Sequence, residues 1–154
     1  MSTIVIGIGN PVLTDDSVGL EVARAIRERL VDDSIAATAE LCCGGLRLME
    51  AMAGYDRAIV IDAMVTGRRP GTVRVVGQRD LPETRNTHST HDGSLAVALE
   101  LGRMAGLSLP REISLWAIEA GDVTSFGDRL TVPVERAARL VANEVVAQLR
   151  GSGQ

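Results

Sequence analysis

The 154-residue chain predicts an α/β fold in three layers, a mostly parallel twisted sheet flanked by helices on both faces. Three observations carry that expectation. Short, nearly unbroken apolar runs such as "TIVIGI" and "RAIVID" read as strands buried on both faces. Between such runs lie stretches whose apolar residues recur at helical spacing. No repeat, low-complexity segment or interdomain linker breaks the alternation, so one domain is expected over residues 1–150, with a disordered tail at 151–154.

Each element follows from its own pattern. Thr3–Ile8 is a buried strand that ends in Gly-x-Gly. From about Ser17 to Leu30, the residues Leu20, Ala23, Ile26 and Leu30 form an apolar stripe, with Arg24, Arg27 and Glu28 off it. A second strand ends near Leu41, and "LRLMEAMA" reads as a short helix. Arg57–Asp62 is a third strand. "PGTVRVV" predicts a strand at the sheet margin, because Pro70 and Gly71 introduce it and Arg74 interrupts it. The polar stretch from Gln78 to His91 reads as a loop. "GSLAVALELGRMAG" is a helix stopped by Gly106, and "REISLWAIEA" is a further strand. A last helix starts near Pro133, since proline suits a first turn.

Composition narrows the function classes. The hydrophobic fraction is 45% and aromatics only 2%, so the core must be aliphatic. A net charge of -4 and few aromatics argue against a nucleic-acid surface or base-stacking platform. No apolar run approaches the roughly 20 residues that cross a bilayer. The N-terminus lacks the basic flank and cleavage site of a signal peptide, which predicts a cytoplasmic protein. The adjacent Cys42 and Cys43 make neither a disulfide framework nor a metal-type spacing.

"GIGNPVLTDDSVG", Gly7 to Gly19, opens like a phosphate-cradling loop but places Asp15 and Asp16 where an anion would lie. Val12 stands where a dinucleotide fingerprint needs its third glycine, and no Gly-Lys-Ser/Thr is present. The helix N-terminus that follows carries a partial positive charge, which the two carboxylates already answer. One of them, Asp15, reads as a helix cap. The other suggests a cation as guest.

Ligands of parallel α/β sheets bind outside the carboxyl ends of the strands. Asp16 follows the first strand, Asp62 ends the third, and His91 lies just before the helix starting near Gly93. The plain alternative for Asp62 is a charged residue opening a turn. His88 is the competing imidazole, and either histidine could be an ordinary loop residue. Two carboxylates and an imidazole form an O,O,N donor set suited to nickel, zinc, manganese or iron. Three ligands leave positions open for a reacting group. The constellation predicts a metal-dependent hydrolase or a metal-binding protein.

"GIGNPVLTDDSVG", "IVIDAM" followed by "PGTV", and "STHDGSL" together resemble the hydrogenase maturation endopeptidases, with the elements in the same order over nearly the whole chain. The resemblance implies an enzyme acting on the precursor of a [NiFe]-hydrogenase large subunit. Such enzymes remove the C-terminal extension after nickel insertion. It also implies that Asp16, Asp62 and His91 contact the metal, with Asp16 and Asp62 as the catalytic acids. Nickel would arrive with the substrate as its recognition element and would not be held permanently. Cleavage could proceed by a metal-polarised carbonyl or water, or by Asp16 or Asp62 as a general base. A monomer that engages the large-subunit precursor is expected.

This chain departs from the family pattern in places. Asp16 stands where many members carry Glu, one methylene longer, and Ser17 replaces part of a frequent Asp-Gly. Cys42 and Cys43 lie in a loop that is usually Gly-rich without thiols; they read as packing filler, or as a thiolate near the metal or a redox-sensitive position. Two other functions remain open on the sequence: a nickel-binding checkpoint or chaperone that holds the precursor without cutting it, and a small-molecule metallohydrolase.

Overall fold

The computed structural model describes residues 1–30, 34–80, 84–86 and 94–152. Five strands and four helices follow one another as β1 (Thr3–Ile8), α1 (Val18–Arg29), β2 (Ala37–Leu41), α2 (Leu46–Met52), β3 (Arg57–Met64), β4 (Val73–Gly77), α3 (Leu95–Met104), β5 (Glu112–Glu119) and α4 (Val132–Ser152). They form one sheet in the order β2-β1-β3-β5-β4. All neighbours are parallel except β4, which runs antiparallel to β5 at the margin. The predicted α/β class and the marginal position of the "PGTVRVV" strand are both observed.

The alternation of side chains along each strand sorts the core into two layers. On one face Val5, Ile59, Ile61, Ala63, Trp116 and Ile118 pack against α1 and α4. On the other, Ile6, Ile8, Val60 and Leu115 pack against α2 and α3. The apolar stripe of α1 (Val22, Ala23 and Ile26, each at most 1% exposed) lies against the first layer. The last helix buries Val134, Ala138, Val141 and Val145 on one face, as its spacing predicts.

Glycines set how closely the first helix approaches the sheet. A Cβ on Gly7 would stand 2.1 Å from the Gly19 carbonyl oxygen, and one on Gly9 would stand 2.3 Å from that of Asp16. The helix therefore lies backbone to backbone on β1 and β3, and its start is drawn onto the carboxyl edge of the sheet. No helix among the described residues is long and apolar enough to cross a membrane.

One boundary differs from the sequence reading. The third strand does not stop at Asp62; it continues to Met64, with Asp62 in register opposite Ala117. A carboxylate inside a strand is tolerated here because every one of its oxygens finds a donor. The stretch after β4 begins with a short 3-10 turn at Gln78–Asp80, and α3 starts at Leu95, with Ser94 Oγ accepting from the Val97 N–H at 3.3 Å.

Candidate active site

After β1 the chain turns to β2 on one side, and after β2 it crosses to β3 on the other side of β1. The crevice between the carboxyl ends of β1 and β3 is thus the switch point of the sheet, where open α/β folds bind ligands. Asp16 reaches this point from the 3-10 turn Asp15–Ser17, which leads into α1. Asp62 reaches it from β3, on the face of the sheet that carries Ala58 and Val60. Asp16 is 3% exposed and Asp62 is fully buried.

The two acids converge on one side chain. Asn86 Nδ2 donates to Asp16 Oδ1 at 2.6 Å and to Asp62 Oδ1 at 2.8 Å. Its backbone N–H donates to Asp62 Oδ2 at 2.6 Å, where the Thr84 hydroxyl also donates at 2.7 Å. The Ala63 N–H completes Asp62 at 2.8 Å, and Arg85 Nε stands 3.6 Å from Asp16 Oδ2. Burial raises the Asp62 carboxyl from 3.8 to about 7, although the hydrogen bonds from Thr84, Asn86 and Ala63 favour the ionised form. Desolvation outweighs those bonds.

Asp15 does not cap the first helix. Neither the 3-10 turn nor α1 carries a side-chain cap bond. Its fully buried carboxylate accepts instead from the Gly121, Asp122 and Thr131 N–H groups and from the Thr131 hydroxyl, all at 2.8 Å. The Asp15 N–H donates to the Asp122 carbonyl at 2.8 Å. Asp15 thus ties the first loop to the segment between β5 and α4. Asp122 in turn organises that segment: its carboxylate accepts from the Thr124 and Ser125 N–H groups, which hold its pKa down at about 2.

His91 and His88 lie outside the described residues, so the third proposed ligand has no stated position. Among the described residues no group of three His, Cys, Asp or Glu side chains gathers as a metal site. Asp16 and Asp62 are brought together on the Asn86 amide, and α3, whose start follows His91 in sequence, packs on the same face of the sheet as Asp62. Cys42 is exposed and Cys43 half-buried, both free, so neither is filler in the core.

Sequence reasoning missed Thr84 and Asn86, for which no spacing rule exists. It also missed Glu119, the 1%-exposed end of β5. The Glu119 carboxylate accepts from the Thr66 and Arg68 N–H groups and the Thr66 hydroxyl, anchoring the loop after β3 beside the site. The signal that found Asp62, an apolar run finishing in a carboxylate, was equally present in "LWAIE".

Two buried acids thus meet at the switch point of a doubly wound sheet, where open α/β folds bind ligands, and burial raises one of them to about 7. A family model of hydrogenase maturation proteases matches residues 20–148. The chain belongs to the hydrogenase maturation protease family and is a protease. It is similar to the hydrogenase 2 maturation protease of Escherichia coli, at 28% identity over 99% of this chain and 93% of the relative. Similarity extends to the hydrogenase expression/formation protein HupD of Rhizobium leguminosarum, at 26% identity over 97% of this chain and 75% of that protein. Among solved structures, the hydrogenase-maturating endopeptidase HybD from Escherichia coli superposes with a TM-score of 0.82 at 29% identity, covering 99% and 94% of the two chains. The [NiFe] hydrogenase maturation protease HybD from Thermococcus kodakarensis shares the fold, with a TM-score of 0.73 at 22% identity over 97% and 99%.

Proposed function

We propose that this protease removes the C-terminal extension of a [NiFe]-hydrogenase large-subunit precursor after nickel insertion, and that it uses the nickel held by the substrate as its recognition element. The observation that carries the reading is the buried pair Asp16 and Asp62, both within hydrogen-bond reach of one nitrogen at the sheet edge. Two carboxylates give hard, negatively charged donors but too few to hold a divalent ion tightly alone. An ion already bound by the precursor would complete its coordination here, with His91 as the third contact.

The chemistry follows from the same pair. Asp62, with its carboxyl near pH 7, takes a proton from the attacking water as general base. Asp16, closer to the rim, faces the metal-bearing segment of the substrate. The protein works as a cytoplasmic monomer on this one partner. Incubating it with nickel-loaded and nickel-free precursor and weighing the large subunit tests the proposal. The loaded precursor should lose its extension and the empty one keep it. Efficient cutting of the nickel-free form would refute metal recognition. Binding without cutting would make the protein a nickel-binding checkpoint.

A further inference from the structure

We propose that Asn86 guards the acid pair: its side-chain amide occupies the cation seat between Asp16 and Asp62 and must leave before a divalent ion can enter. This inference rests on the reading above that the pair contacts a metal. One NH2 group spends its two hydrogens on the two carboxylates, at 2.6 Å to Asp16 Oδ1 and 2.8 Å to Asp62 Oδ1. A divalent ion bridging those oxygens would stand roughly 2.0–2.2 Å from each. That is the space the nitrogen fills. Both remaining carboxylate oxygens also face donors: Asp62 Oδ2 takes the Thr84 hydroxyl and the Asn86 N–H, and Asp16 Oδ2 faces Arg85 Nε. Among the described residues, then, every oxygen of the pair faces a donor.

The amide is a neutral guest in a negative seat. It satisfies the two acids through hydrogen bonds but leaves their charge, so a cation is electrostatically preferred once it can reach them. A free ion must first break two charge-assisted bonds. An ion presented by a bound substrate has the substrate's own contacts to offset that cost. Asn86 is therefore a specificity-determining residue, favouring metal in a precursor over metal in solution. Removing its side chain is a local change, because its backbone N–H still holds Asp62 Oδ2 at 2.6 Å.

Calorimetric titration of the purified protein with nickel chloride alone, without precursor, tests this. Asn86→Ala should bind nickel at least about tenfold more tightly than the native protein, the effect expected from lifting two charge-assisted hydrogen bonds. Asn86→Ser, whose hydroxyl is too short to span both acids, should shift in the same direction and serves if the alanine variant does not fold. Unchanged or weaker nickel binding in a folded variant overturns the inference, since the amide would then support the acids and not block them. Adding Asp16→Asn to Asn86→Ala should cancel the gain. A gain that survives Asp16→Asn would place the ion elsewhere and so overturn the metal-contact reading of the pair itself.

Discussion

Gly19 lies against Ile61 so closely that a methyl group on its Cα would stand 2.3 Å from the Ile61 carbonyl oxygen, and equally 2.3 Å from that of Ile8. The helix that delivers Asp16 is thus seated on the backbones of the two strands flanking the switch point. Neither strand can yield, since both are paired on each side within the sheet.

Gly19→Ala should accordingly cost about 2–4 kcal/mol, at the upper end of overpacking effects, because backbone and not a flexible side chain blocks the methyl. Urea unfolding measures it. Gly77→Ala, where a Cβ meets nothing within 4 Å, is the control and should change stability by less than about 0.5 kcal/mol. Equal effects at the two positions would contradict the close approach.

Asp15→Ala removes the acceptor for three N–H groups and a hydroxyl around residues 121–131. A loss of about 2–4 kcal/mol is expected from the buried donors left without a partner. Hydrogen exchange should quicken at Gly121, Asp122 and Thr131 more than at β1. Processing should survive where the variant remains folded, since the Asp15 carboxylate is bonded to Gly121, Asp122 and Thr131 and not to the acid pair.

Asp62→Asn, which removes the proposed general base, and Asp16→Asn, which removes a proposed metal contact, should each lower processing of nickel-loaded precursor by at least about a hundredfold, for Asp62 the scale of a lost acid–base group. Circular dichroism should show the fold retained. Activity near the native level in either variant would remove that residue from the mechanism.

The stability of the metal-free protein should carry the signature of Asp62. Its folded pKa is raised to about 7 from 3.8 by burial, so between those values the native state holds a proton that the unfolded chain has released. Stability contributed by this group is full below about pH 4 and falls as pH rises to 7, by an amount on the order of a few kcal/mol. Melting temperatures compared from pH 4.5 to 8 should show a decline in the native protein that Asp62→Asn lacks. Parallel curves would show that the acid is not protonated when folded.

His91→Ala should abolish processing while His88→Ala leaves it intact, as the family pattern around "STHDGSL" implies. The reverse result would transfer the imidazole role to His88. Mass measurement of the large subunit decides between them.

Much of this architecture is legible in the residue pattern, because hydrophobic periodicity is a local property. Apolar runs in β1 and β3, helical stripes in α1 and α4, and the Arg-interrupted β4 declare their element type and burial without reference to the rest of the chain, whereas the face that each helix covers is seen only in the packed core. The glycine spacing of the first loop likewise announces a close approach of helix and sheet. Asp16 and Asp62 stand out as carboxylates next to apolar runs, although Asp62 lies inside β3 and not at its end. Asp15 was legible as a structural acid but not as to what it holds, since its partners lie 106 to 116 residues away.

Asn86 marks the limit of such reading. It meets Asp16 across 70 residues and Asp62 across 24, from a polar stretch with no period to interpret. Element type and buried face are determined by the sequence itself, through side chains that repeat every two or 3.6 residues, whereas the strand order β2-β1-β3-β5-β4 is set by the packed fold. The pairing of hydrogen-bond donors with buried acids was decided only by the tertiary structure. A carboxylate taken out of water accepts whichever donors the packed loops bring within about 3 Å, and that proximity exists only once the sheet and its helices have closed.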